Sequence, residues 1–347
     1  VAGLGTYAYL NARLRAKLGK LLSAQQYEQL MQAAGTSTLA EILLHTDYHG
    51  LLRDISTVHD LRRAESALVG HLIACHREVA AHAKGSVREF VEELMRKYEV
   101  ENLKVILRAW NAGEETEFIY RDPICHAIPV TSILKAGTIE EVIVLLDETP
   151  YRKPLVGARE RYKETGSLFY LEMALDKELY EATWRAIEAL SLRDKKIASR
   201  LIGIEIDILN INWILRFKRY YDLSLAEITS LMIPRGLQIT EEFLREVYPG
   251  KDQASLMSEL LTGVYRSVSQ RLSVREEVRA LHFLEALLRE TFVQQIRSAL
   301  RGYPFTIGVA IAYLRLKKME VSNIVTILNG KALRLPREDV ERNLVRL

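Results

Sequence analysis

The chain lacks the compact signatures by which a nucleotide, a metal or a nucleophile is usually held. No G-x-x-x-x-G-K-[ST] occurs. Gly19-Lys20, Gly250-Lys251 and Gly330-Lys331 have neither the upstream glycine nor the following hydroxyl residue that a phosphate-cradling loop needs. G-x-G-x-x-G, H-E-x-x-H and G-x-S-x-G are absent too, as is the cluster of aspartates with which an all-helical prenyl-chain enzyme would hold magnesium. Cysteine is scarce: Cys75 and Cys125 show no metal or disulfide spacing and fit a reducing, cytoplasmic setting. A net charge of +3 without a Lys/Arg-rich block argues against nucleic acid. In the last third the longest clean apolar run, Ile307 to Leu314, stops at Arg315, far short of the roughly 20 residues a spanning helix needs. No signal-peptide start is visible, and none is expected.

What remains is helical periodicity. Val87, Phe90, Val91, Leu94 and Tyr98 recur at i, i+3, i+4, i+7, as do Ile197, Leu201, Ile204, Ile208, Ile211 and Leu215. The same holds for Ile307, Ile311, Leu314, Val321, Ile324 and Leu328. Further helices are expected over 60–82, 168–190, 255–261 and 274–300. Capping boxes are expected at Ser23 with Gln26 and at Ser86 with Glu89, and an N-cap at Thr138 with acids behind it. Gly302 suits the end of one helix and Pro304 the approach to the next. The segments 111–129 and 217–234 read as loops.

A nine-residue pattern, acid-x-x-Asn-Leu/Ile-x-x-Ile-Leu, occurs three times. Its copies are Glu99, Asn102, Leu103, Ile106, Leu107; Asp207, Asn210, Ile211, Ile214, Leu215; and Glu320, Asn323, Ile324, Ile327, Leu328. They lie 108 and 113 residues apart, about a third of 347. The expectation is an all-α protein of three similar helical domains in pseudo-threefold arrangement, with approximate, interleaving boundaries 1–115, 116–225 and 226–347. A second repeat lies between the long helices. Ala34-Gly35-Thr36 with Thr46-Asp47-Tyr48 is matched by Ala136-Gly137-Thr138 with Thr149-Pro150-Tyr151, and a more divergent third copy falls around Gln238 to Tyr265. Val142 to Leu146 has strand-like composition, but its cap and its repeat partner favour helix.

Acid and Asn three residues apart share a helix face. Asn within a helix costs propensity because its side chain competes for backbone groups, so its return at Asn102, Asn210 and Asn323 implies a fixed polar contact. Two readings stand: a hydrogen bond ordering each unit, which is the plainer, or three equivalent contacts on a central opening, made with Glu99, Asp207 and Glu320. Arg108 and Arg216 follow the motif at matched positions, where the third copy has Asn329 and then Lys331; these cations suit helix C-termini or an acidic partner. His45 with His49 and His71 with Cys75 have i, i+4 spacing, but surface and packing roles are commoner than a shared metal. Adjacent Cys125-His126 does not give nucleophile-base geometry. No catalytic residue, cofactor or metal is expected.

At this point the sequence resembles the C subunit of the archaeal and bacterial A/V-type rotary ATPases, the counterpart of the d subunit of the vacuolar proton pump. The resemblance rests on Tyr7-Ala8-Tyr9-Leu10-Asn11-Ala12-Arg13-Leu14-Arg15 and on Glu101-Asn102-Leu103-Lys104 with Leu107-Arg108. At the end it rests on Gly302-Tyr303-Pro304-Phe305 followed by Asn323-Ile324 and Ile327-Leu328-Asn329-Gly330-Lys331. It runs essentially end to end. It implies a funnel-like, all-helical, non-catalytic rotor part on the cytoplasmic face of the membrane. Such a socket receives the central-shaft subunits, sits on the proteolipid rotor ring and passes torque between them as ATP turnover is coupled to proton or sodium transport. The competing readings are an all-helical scaffold or adaptor, against which the long repeat argues, and a helical enzyme with a diffuse site, for which no residue speaks.

Overall fold

The computed structural model describes residues 2–52, 58–114, 120, 122–220, 223–272 and 280–347. Among these residues there are α-helices and one short 3-10 turn, and no strand. In chain order the helices are α1 (Ala2–Leu18), α2 (Ala24–Gln32), α3 (Thr36–Leu43), α4 (Val58–His82), α5 (Gly85–Ala112) and α6 (Val130–Lys135). There follow α7 (Ile139–Leu145), α8 (Arg152–Thr165), α9 (Phe169–Glu188), α10 (Leu192–Tyr220), α11 (Leu225–Leu231) and α12 (Glu241–Val247). The last are α13 (Gln253–Leu260), α14 (Arg266–Arg271), α15 (Ala280–Arg301), α16 (Gly308–Ala332) and α17 (Arg337–Arg342).

The chain forms two compact units, one of residues 62–189 and one that joins 1–61 to 190–347. In the first, α5 packs on α9 and α9 on α8, burying Phe90, Leu94, Leu103, Ile106 and Leu107 of α5 with Leu171, Leu175 and Leu179 of α9. The periodic positions are the buried ones, which is why these segments are helices: apolar burial along one stripe outweighs the modest propensities of Val and Ile. In the second unit α15 packs on both α10 and α16, and α1 lies on α16. Helix α16 is buried nearly all round from Val309 to Lys317, and again at Asn323, Ile324, Ile327 and Leu328, as befits a central helix.

Local signals are mostly obeyed. Ser23 and Gln26 form the expected capping box, and Thr138 accepts from Glu141 N. Residues 139–145 are helix, not strand. Ser86 does not cap: α5 starts at Gly85 with Lys84 at the N-cap, two residues before the expected cap, and Gly85 itself takes a left-handed backbone (φ 53°) that glycine tolerates. The segment 217–234 is less of a loop than expected. Helix α10 runs on to Tyr220, and α11 is closed by its own capping box of Ser224 and Glu227. Parts of three sequence expectations, at 115–119 with 121, at 221–222 and at 273–279, lie outside the described residues.

Candidate functional site

The three motif copies sit on α5, α10 and α16, and each builds the same junction with a neighbouring loop. In the first, Glu99 Oε1 accepts from the Tyr151 hydroxyl (2.6 Å) and from His126 Nδ1 (2.6 Å). Its Oε2 accepts from the backbone N–H of Cys125 (2.7 Å) and of His126 (2.6 Å). One turn on, Asn102 closes a two-way bond with one residue: Tyr120 N–H donates to its Oδ1 and its Nδ2 donates to Tyr120 O, both at 2.8 Å. In the second, Asp207 accepts from Ile239 N, Gln238 N and the Tyr265 hydroxyl, each at 2.9 Å. Asn210 closes the same two-way bond with Ile233, at 3.0 and 2.8 Å.

The third junction is completed by both ends of the chain. Glu320 accepts from Leu22 N (2.5 Å) and the Tyr48 hydroxyl (2.6 Å), and Asn323 pairs with Val345 at 2.9 and 2.8 Å. The spacing is shared: Leu22 precedes Tyr48 by the same 26 residues that separate Cys125 from Tyr151 and Ile239 from Tyr265. The physical task is also shared. A loop buried against a helix cannot satisfy its own N–H groups, and each unpaired group costs about 1–3 kcal/mol. Acid and amide on one helix face supply the missing acceptors and donor. Glu99, Asp207, Glu320, Asn210 and Asn323 are all buried.

The junctions differ in charge. Three residues before Glu320, the buried Lys317 donates to it at 2.9 Å and lies 4.4 Å from the centre of the Tyr48 ring. Three residues before Glu99, Arg96 lies over the Tyr151 ring at 5.6 Å and pairs with Glu93 at 3.0 Å. The matching position before Asp207 is the buried Ile204. Burial pushes the Asp207 carboxyl up to about 6, although the N–H groups of Ile239 and Gln238 and the Tyr265 hydroxyl pull the other way. Burial, together with the carboxylate each one faces, raises the hydroxyls of Tyr151 and Tyr265 well above the usual tyrosine range.

The cations behind the motif are engaged within the chain. Arg108 forks onto Glu172 with two 2.6 Å bonds, Arg216 lies 3.8 Å from Glu285, and Lys331 donates to Met31 O at 2.6 Å. Cys125 and His126 serve Glu99 chiefly through their backbone. His45 and His49 fall beyond the end of α3, so they do not share a helix face. Cys75 is buried and its sulfur is 3.7 Å from His71 Nε2. Sequence reasoning missed the three tyrosine donors and the buried cations. The tyrosines were signalled by the second repeat, whose copies end on Tyr48, Tyr151 and Tyr265. A fourth junction also went unread. Asp194, held at the start of α10 by Ser191, accepts from the Tyr7 hydroxyl (3.0 Å) and from Ile307 N (2.8 Å), tying α1 and the approach to α16 to α10.

Fold and junctions define an all-helical protein organised around repeated, buried, fully engaged acid–amide pairs. Comparison with known proteins gives the family. The model of the ATP synthase (C/AC39) subunit family matches residues 10–343, so the chain belongs to that family. It is similar to the A-type ATP synthase C subunit of Methanothermobacter thermautotrophicus, 28% identical over 95% of this chain and 85% of that one. It is also similar to those of Methanocaldococcus jannaschii (26%, over all of this chain and 88% of that one) and Methanococcoides burtonii (27%, 98% and 94%).

Proposed function

We propose that the chain is a non-catalytic central-rotor subunit of a rotary A/V-type ATPase or ATP synthase. It acts as a socket that joins the central shaft to the proteolipid ring and passes torque between them while ATP turnover is coupled to proton or sodium transport. The observation that carries this reading is the family match over nearly the whole chain, 10–343, with 85%, 88% and 94% of the three relatives covered. In this reading the protein is peripheral on the cytoplasmic face of the membrane. Among the described residues no helix is long and apolar enough to cross it. In this reading the three motif helices with their loops are three similar units, the third closed by the N-terminal segment.

The junctions suit that task. A part that transmits torque must not yield at its loops, and Glu99, Asn102, Asp207, Asn210, Glu320 and Asn323 bond loop backbone to long helices at two points each. These six residues are structural in this reading. Arg108 and Arg216, whose side chains are 59% and 44% exposed, are the rim cations open to an acidic partner surface; Lys331 is turned to its own chain. The test is binding of the purified chain to the isolated central-shaft subunits of the same source. A stable one-to-one complex is expected. A folded, helical chain that forms no complex removes the socket reading.

A further inference from the structure

Among the described residues, the segments that meet at one end of the larger unit carry exposed cations and no exposed acid. Four elements meet there: α1, the start of α10, the end of α15 and the loop into α16. Asp194 bonds Tyr7 and Ile307, Arg15 donates to Leu300 O at 3.2 Å, and the Arg193 guanidinium lies 4.7 Å from the Tyr303 ring centre. Tyr303 in turn meets Phe305 edge to face at 5.6 Å. No Asp or Glu occurs in 2–22 or 291–319, and the single acid in 191–204 is Asp194, which is buried and bonded inward. Arg15, Arg193, Lys196, Arg297 and Arg301 are exposed in these segments. Among them stand apolar groups that water does not favour: Leu192 is 89% exposed, Tyr9 61% and Tyr303 51%.

We propose that this basic, tyrosine- and leucine-tipped end docks on anionic lipid headgroups. The inference rests on the peripheral rotor reading and deepens it by naming a second partner. Guanidinium and ammonium groups pair with phosphate oxygens, each such cation near an anionic surface adding to the attraction. Exposed tyrosine and leucine suit the boundary between headgroups and acyl chains, where an amphipathic ring and an aliphatic tip both lose unfavourable exposure. An acidic protein surface would satisfy the cations, but it gives the bare Leu192 at the head of α10 no comparable place.

The experiment is flotation of the full chain with vesicles of phosphatidylcholine alone and of phosphatidylcholine with phosphatidylglycerol, at about 0.05 M and about 0.5 M salt. Binding to the anionic vesicles at low salt, and its loss at high salt, is expected. Arg193→Glu with Arg297→Glu and Arg301→Glu lowers partitioning by more than about tenfold. Arg161→Glu with Arg245→Glu and Arg342→Glu, exposed cations elsewhere, and a melt matching the wild type separate a local site from net charge and from misfolding. Leu192→Ser weakens the low-salt binding. Three results overturn the proposal: no anionic preference, equal loss in the control variant, or binding to polyglutamate that the vesicles fail to compete. The shaft complex is scored separately, so failure here leaves the socket reading standing and failure there does not mimic failure here.

Discussion

Asp207 has neutral donors throughout, two N–H groups and a phenol, with Ile204 where the other two copies place a cation. Its folded carboxyl titrates near 6 against an ordinary 3.8, so the folded state holds that proton more tightly than the unfolded one. Stability from this group is therefore greatest below pH 3.8 and falls as pH rises through 6, the reverse of an ion-paired aspartate. Unfolding by denaturant at pH 7 and at about pH 4.5 is expected to move the difference between wild type and Asp207→Asn toward the wild type by about 2 kcal/mol on acidification. An unchanged difference would show that the carboxyl is not raised. For the amides, Asn210→Leu and Asn323→Leu each strip both bonds from a buried peptide and are expected to cost about 2–4 kcal/mol. An unaltered melt of the triple variant with Asn102→Leu, combined with weaker shaft binding, would instead make these residues partner contacts.

For a single element, the junction sets what its neighbours are allowed to be. Gly236 lies where any Cβ would collide with Asp207 Oδ1 and Ile239 O, so the loop reaches the carboxylate only because this residue has no side chain. Gly236→Ala is expected to destabilise by more than an exposed loop substitution does, beyond about 1 kcal/mol, measured by thermal unfolding. Gly330 on α16 likewise faces Val340 of α17 with no room for a Cβ. The third junction joins distant segments. Besides Glu320 and Asn323, Lys331 bonds Met31 O, and Arg337 forks onto Glu28 at 2.9 and 2.8 Å. Tyr48→Phe removes a hydroxyl donor from a buried carboxylate and is expected to cost about 1.5–3 kcal/mol. Hydrogen exchange in α2 and α3 should rise with it; exchange unchanged there would mean that the N-terminal segment is held by other contacts. Caps at Ser23 and Thr138 were legible because donor and acceptor lie three residues apart. Helix α11 was not, since seven residues carry too few turns to show a period against the breaks around them.

At the level of the whole molecule, partner binding through exposed cations carries a salt signature. Charge reversal at Arg108 and Arg216 is expected to weaken shaft binding more at low than at high ionic strength, because exposed pairs are screened. Each reversal also meets an internal acid, Glu172 or Glu285, so the melt of each variant must be compared. No change in binding at either salt would remove both arginines from the interface. The helical class and the family were readable from the chain because both depend on order along it. The long helices show their apolar stripes locally, and the triple motif recurs at nearly even intervals.

By itself the sequence determined that the chain is helical, where its longest helices run, and that an acid and an amide return together on three of them. Tertiary structure decided what those pairs hold. Their partners are mainly backbone N–H and C=O groups, offered by residues as unlike as Leu22, Cys125 and Ile239, so no residue type marks them. It also decided that the segment before Tyr48, and not one following Glu320, supplies the third acid's backbone donor. That choice is made by which chain ends can reach α16 in space, and distance in space leaves no periodic trace in sequence.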